Sequence, residues 1–397
     1  MQSYRMSVRS GRVLPLLSKH PWVFADSVMS VEGEPAPGAI VRVDAPDGTF
    51  LGWGLFSPYS AILARIYSFN ESEPIEPGLF HRRILNAWEY RKSVGLPSDT
   101  TNVFRAIYAE GDFLPGVVAD YYNGVVAVTF TTAASHAYAD VILDAIEGVI
   151  HPAGILGVPD PSACKKEKFE HPTGTLRGTV PEVLEVKENG ISYRLRPSDT
   201  QRKLLYSDQR VNRSHVAGMA RGEMLDLYCY HGGFALNALA TGSVGKAVCI
   251  DSSSPAIEHL TANAELNACQ DRIDARVQPA EEAMVEISRS SRRFDVVVMD
   301  PPRLVPDRRD LERGMRKYAH LNELAFGCVA PGGLLVSCSC SGLLPRADFL
   351  RAISVAAGRA GREVSLVEMC SAAPCHPVNP FCPETEYLKV AFLRLRG

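Results

Sequence analysis

The sequence contains no run of about 20 apolar residues, the length a helix needs to cross a bilayer, so nothing in its 397 residues reads as a membrane span. Its first residues hold no apolar stretch of the secretory kind. The ten cysteines follow no disulfide-framework spacing, which points to a reduced, cytoplasmic protein. Charge of one sign is also missing, since the formal net charge is −3. That excludes a chain-wide basic field for nucleic acid, and any such contact needs a local patch. Arg5, Arg9, Arg12 and Lys19 form one candidate. Arg82, Arg83, Arg91 and Lys92 form a second, and Lys165, Lys166 and Lys168 a third. For any single cluster a solvated face is the better explanation. Internal repeats and low-complexity segments are absent. What is there is an ordinary globular composition, 46% apolar and 22% charged. At about 100–200 residues per domain, two or three domains are expected.

Three regions separate on pattern. Residues 1–75 carry short β-like runs broken by turns, with Asp47-Gly48 as a hairpin signal, and read as a small barrel or sandwich. Residues 76–194 read as a compact α+β unit. "HRRILNAWEYRKSVG" has helical spacing ending at Gly95, and Asn123-Gly124 marks a hairpin. From 195 to 397 the runs "EMLDLYCY", "KAVCID", "FDVVVMD" and "GLLVSCS" alternate with helical stretches. This alternation predicts an α/β domain with a mainly parallel, doubly wound sheet. The final run, "EYLKVAFLRL", suits an added edge strand.

In an open parallel sheet, ligands bind beyond the carboxyl ends of the strands. The first run places Asp226 in a strand and Gly232-Gly233 at the next helix start. Glycines there let a backbone approach a ligand closely. The spacing is not G-x-G-x-x-G. A strand acid before a glycine pair suits a ligand with a cationic amino-acid moiety, and S-adenosylmethionine (SAM) is one. A plain strand–turn–helix junction is the structural alternative. The second run ends at Asp251, which can accept both hydroxyls of a ribose. Ser252, Ser253 or Ser254 before Pro255 makes a helix start, which explains the serines but not the aspartate.

The third run ends in Asp300-Pro301-Pro302. Two prolines make a rigid turn that continues neither helix nor strand. The turn holds a carboxylate and carbonyls able to bond the amino edge of a flat base. The fourth run ends in "SCSCSG". Cys338 reads as a small buried hydrophobe, whereas Cys340, among serines before Gly342, is a candidate nucleophile. A metal pair of these two lacks clear partners. Cys370, Cys375, His376 and Cys382 have irregular spacing and read as loop packing, so no metal is expected.

These motifs together resemble class I SAM-dependent methyltransferases, specifically the RlmI-like family that makes 5-methylcytosine in large-subunit ribosomal RNA. The resemblance covers essentially the whole chain. "KHPWVFADSV" looks like that family's PUA domain, a small RNA-binding barrel, and "EGDFLPGVVADYYNG" like its central domain. "YSDQR", "DLYCYHGGF", "DPPR", "CSCSG" and "HPVNPFCPETEYLK" follow in family order. The resemblance implies that Asp226, Tyr228, Gly232 and Gly233 cradle the methionine part of SAM. It implies Asp251 and Ser252 at the ribose. Asp300 would lie beside both cofactor and cytosine, and Cys340 would be the nucleophile. Pro301, Pro302 and Arg303 would meet the substrate base, and Arg12 and Lys19 the RNA backbone. It further implies a ribosomal RNA partner and a homodimer.

The chain departs from the pattern in places. Lys203 and Leu204 replace a Thr-Gly pair, His231 stands in the usual Y-T-G-G-F, and Arg303 stands where lysine is common. The acid expected near adenine is not evident, with Glu281 or Glu282 on offer. Two other readings therefore stand beside the first. One is a methyltransferase of another RNA base or amino group, which needs no cysteine. The other is a non-catalytic RNA-binding paralogue.

Overall fold

The computed structural model describes residues 4–199 and 204–396. The N-terminal region forms a six-stranded sheet in the order 22–24, 62–68, 50–56, 40–44, 4–8, 28–31, with 4–8 parallel to 40–44 and the remaining pairs antiparallel. The central region has a five-stranded sheet from Val103–Tyr108 to Gly174–Gly178, with helices Pro77–Ser93 and Ala139–Ile150. Its hairpin turns at Asn123 and Gly124, both at positive φ (46° and 90°), as a tight two-residue turn requires. A second hairpin, Leu184–Glu188 with Ile191–Leu195, leans on the C-terminal region. Asn263 and Asn267 there bond the backbone N–H groups of Arg194 and Ser192, each at 3.0 Å.

The C-terminal region is built on a seven-stranded sheet. Its strands are β1 (Gly222–Leu227), β2 (Val244–Asp251), β3 (Ile273–Val277), β4 (Phe294–Met299), β5 (Val329–Ser339), β6 (Val364–Cys370) and β7 (Lys389–Leu395). The spatial order is β3-β2-β1-β4-β5-β7-β6. β1 to β5 are parallel, and β7 runs antiparallel to both neighbours. Side chains alternate across the pleat. Met224, Val296, Val298 and Val336 meet the layer of Val216, Phe234 and Ile257. Leu225, Val297, Met299 and Leu335 meet Met284, Phe326 and Phe349 on the other face. Both faces are covered, so the inner strands read as continuous apolar runs. Each fully buried aliphatic side chain of this kind contributes roughly 1.5–3 kcal/mol. A charge at Val298, which is fully buried, would break this layer.

The last run corrects the expectation of an edge strand. β7 lies between β5 and β6, and the edge belongs to β6. Its burial, which spares only Arg394, fits an interior strand. Leu366 and Val367 of β6 are exposed. β3 is the opposite edge and mostly exposed, which is why it showed no apolar run.

Candidate active site

The loop after β1 is shaped by strained backbone. Tyr228 and Tyr230 have φ of 61° and 48°, and Gly232 has 78°. Left-handed conformations at non-glycine residues cost energy and persist where the surroundings enforce them. The glycine pair is explained by the protein itself. A Cβ at Gly232 would meet Leu260 Cδ1 at 2.0 Å, and one at Gly233 would meet Arg213 Nε at 2.4 Å. The Cβ direction at both glycines is thus occupied by side chains, so a larger residue would have to displace them. Asp226, buried at the tip of β1, accepts the Ala235 N–H at 3.1 Å and ties the strand to helix Gly233–Ala240. Burial pushes its carboxyl up to about 7, against the pull of that N–H. His231 is buried, stacks on Tyr230 at 3.7 Å, and is pushed down to about 3 by burial. It is therefore a neutral packing ring. Leu204 is buried, and Lys203 lies outside the described residues.

Asp251 closes β2. Its carboxylate accepts the Tyr230 N–H at 3.0 Å and the Ser253 N–H at 2.9 Å. A carboxylate has about four acceptor directions, so two remain, on a half-buried group at the carboxyl edge of the sheet. This suits the two hydroxyls of a ribose, and on this observation the residues fit SAM. Ser252 is exposed beside it, and the helix cap is Ser253. Glu281 is taken by Lys317 at 2.5 Å and His320 at 3.5 Å. Its charge still reaches the half-buried Tyr228.

Asp300 follows β4, and its N–H points to the Leu227 carbonyl at 3.4 Å, so the tips of β1 and β4 adjoin. Its carboxylate accepts from Gln209 Nε2 at 3.0 Å. Burial pushes its carboxyl up to about 7, and the nearby Asp208 charge adds to this. Pro301 is buried, while Pro302 and Arg303 are exposed. Cys340 leaves β5 half-buried, with Sγ 3.9 Å from the Pro301 carbonyl. Burial and Asp300 push its thiol up to about 11, and Arg303 opposes them. Cys338, two residues earlier, is fully buried in the strand. The structure thus brings Asp300 and Cys340 to adjacent strand ends, with Asp226 and Asp251 along the same edge.

The sequence reading gave no role to a third wall of this site. The turn Ser207–Gln209 presents Asp208 and Gln209, both buried. Asp208 accepts the Tyr387 hydroxyl, Gln209 reaches Asp300, and Asn212 holds the Gln209 carbonyl at 2.7 Å. Arg213 anchors the following helix on the buried Glu188 at 2.6 Å. "YSDQR" was visible as a motif, but its position opposite Asp300 depends on a contact between residues 91 apart in sequence.

Other candidates lie elsewhere. Arg12 pairs with Asp26 at 2.8 Å on the exposed N-terminal region. Lys19 (φ 63°) is exposed, its ammonium 5.7 Å from the ring of Phe381. The four residues Cys370, Cys375, His376 and Cys382 do not form one cluster. Cys370 sits with His215 and Glu368, Cys382 with His20 and Glu384, and Cys375 against His376 at 3.3 Å.

An acid at the tip of β2, a second carboxyl at the tip of β4 and a sheet with an inserted antiparallel β7 define a class I methyltransferase. The chain belongs to the SAM-dependent methyltransferase family, whose model matches residues 114–382, and its cofactor is SAM. A PUA-like domain model matches residues 6–69. Among curated relatives, ribosomal RNA large subunit methyltransferase I of Pseudoalteromonas atlantica is 34% identical over 389 residues, 98% of each chain. Its namesake in Alteromonas mediterranea is also 34% identical, again over 98% of each chain. A solved methyltransferase chain complexed with SAH superposes with a TM-score of 0.84 at 18% identity, covering 99% of this chain and 100% of that one. At that identity the likeness establishes the fold. Among the described residues no helix is long and apolar enough to cross a membrane.

Proposed function

We propose that this protein is a SAM-dependent methyltransferase of large-subunit ribosomal RNA that methylates carbon-5 of a cytosine through a covalent bond to Cys340. The substrate class comes from the relatives' names, and the PUA-like domain agrees with it. Such an enzyme works in the cytoplasm, where ribosomes assemble. The observation that carries the chemistry is the pairing of the Asp300 carboxyl and the Cys340 thiol on neighbouring strand ends, both near the Pro301 turn. A methyltransferase acting on an amino group needs no thiol there.

Asp226 and the 228–233 loop would hold the methionine part of SAM, and Asp251 its ribose. Bound there, SAM supplies an electrophilic methyl group. Carbon-5 of cytosine is too weak a nucleophile to take it. The Cys340 thiolate adds to carbon-6, and the displaced electron pair makes carbon-5 nucleophilic. Asp300, protonated in a fraction of molecules near neutral pH, donates to the ring nitrogen as negative charge develops there. Gln209 fixes the orientation of that carboxyl. After methylation, loss of the carbon-5 proton expels the thiolate and restores the ring. Pro301, Pro302 and Arg303 line the approach of the base, which must leave its stack to reach the thiol. Arg12 and Lys19 are phosphate contacts in this reading.

The test is nucleoside mass spectrometry of large-subunit RNA incubated with SAM and either wild-type protein or Cys340→Ala. The expected result is 5-methylcytosine formed by wild type and a loss of about ten-thousand-fold in the variant, with SAM binding retained. Full activity in the variant would overturn the thiol mechanism and favour another base or an amino group.

A further inference from the structure

Resting on that reading, we propose that Lys389 is a positioning residue of the reaction, the cation that supports Cys340 in its thiolate form. Lys389 opens β7, and its backbone pairs with Ser339, the residue before Cys340. Its side chain is 5% exposed, and its Nζ donates to the Ser341 carbonyl at 2.6 Å and the Tyr387 carbonyl at 2.9 Å. The amine therefore bonds the residue after Cys340, while its backbone is registered on the residue before it. Among the described residues no carboxylate lies in ion-pair contact with it. Burying an ammonium without a counter-charge is unfavourable. Both accepting carbonyls lie in loops outside β5 and β7, so the amine joins the segment after Cys340 to the segment before β7. These carbonyl dipoles hold the ammonium without cancelling its charge, which a partner that becomes negative during the reaction would do.

The surroundings agree. Burial pushes Lys389 down to about 8, and the group that most favours its charged form is Cys340, with Glu386 second. The groups facing Cys340 are Asp300 and Arg303 on the turn after β4, Asp208 on the 207–209 turn, Cys338 on β5, Tyr318 on helix Leu311–Cys328 and Lys389 on β7. Asp300 and Asp208, when ionised, disfavour the thiolate, and Arg303 is exposed. Lys389 is thus the buried cation of the set. The step it assists is proton loss from the Cys340 thiol to solvent, after which the sulfur pair attacks carbon-6. The ammonium keeps its own proton throughout. Because its charge falls away as pH rises through about 8, the assistance is present below that pH and lost above it.

The experiment follows alkylation of Cys340 by iodoacetamide against pH, resolved from the other cysteines by fragment mass spectrometry. It uses full-length wild type, Lys389→Met and Lys389→Arg, with SAM binding as the fold control. The expected result is at least tenfold slower alkylation at pH 7.5 in Lys389→Met, with rescue in Lys389→Arg, whose charge does not titrate. Equal alkylation profiles in wild type and Lys389→Met, with SAM binding intact, overturn the proposal. If Lys389→Met no longer binds SAM, Lys389→Arg decides. In that variant, reactivity that stays high above pH 8 supports the proposal, and reactivity that still follows the wild-type profile overturns it. The cytosine reading fails separately, if Cys340→Ala still methylates RNA.

Discussion

The carboxyl edge of the C-terminal sheet has two halves that are built differently. At the β1–β2 half, the polar groups are engaged with the protein's own backbone. Asp226 holds Ala235, and Asp251 holds Tyr230 and Ser253. The Cβ direction at the glycines is occupied by Leu260 and Arg213. At the β4–β5 half, a carboxyl raised to about 7, as Asp226 is on the other half, stands beside a thiol, Cys340, raised to about 11. A half that binds gains from preorganisation, because its shape is fixed before the ligand arrives. A half that reacts needs a nucleophile beside a group able to exchange a proton, and in the proposed reading Cys340 and Asp300 supply these. In the proposed function, this contrast separates cofactor binding from chemistry along one edge.

That contrast can be broken by substitution, and the largest effect is expected at the reacting half. Asp300→Asn should lower kcat by about a hundred- to ten-thousand-fold while SAM affinity stays nearly constant. Its pH dependence sharpens the test. The raised pKa leaves the acid form populated below about 7. If that form donates to the base, wild-type kcat loses this contribution as pH rises through about 7, and the asparagine variant shows no such limb. At the binding half, Asp251→Ala should weaken SAM binding by about ten- to a hundredfold, the value of one or two charged hydrogen bonds. Calorimetry measures this directly, and RNA binding should not change. The smallest effect on function is expected at Gly232→Ala. A Cβ there meets Leu260 and sits at φ 78°, so the change should cost about 1–3 kcal/mol of stability. A lowered melting temperature with modest loss of SAM affinity would show that this glycine serves packing. Strong loss of affinity at unchanged stability would show that it serves the ligand.

Much of this was legible in the residues. Apolar runs ending in Asp226, Asp251, Asp300 and Cys340 marked four strand ends, because a doubly covered strand must be apolar and its exit is where polar groups can face a ligand. The hairpin at Asn123-Gly124 was legible because few residues tolerate its backbone. The two edge strands of the sheet were harder to see. β3 is exposed and lacks an apolar run, and β7 was placed at the edge because order along the chain does not give order across a sheet.

By itself the sequence determined the fold class, the cofactor and the strand-end acids, since these depend on local pattern and short spacing. Only the tertiary structure decided which groups share a site. Gln209 meets Asp300, Tyr387 meets Asp208, and Lys389 reaches the carbonyl beside Cys340, all through contacts between distant segments. It also shifted the titration of Asp226, Asp300, Cys340 and Lys389, because burial is a property of the packed chain and shifts a group whose identity alone says nothing of its surroundings.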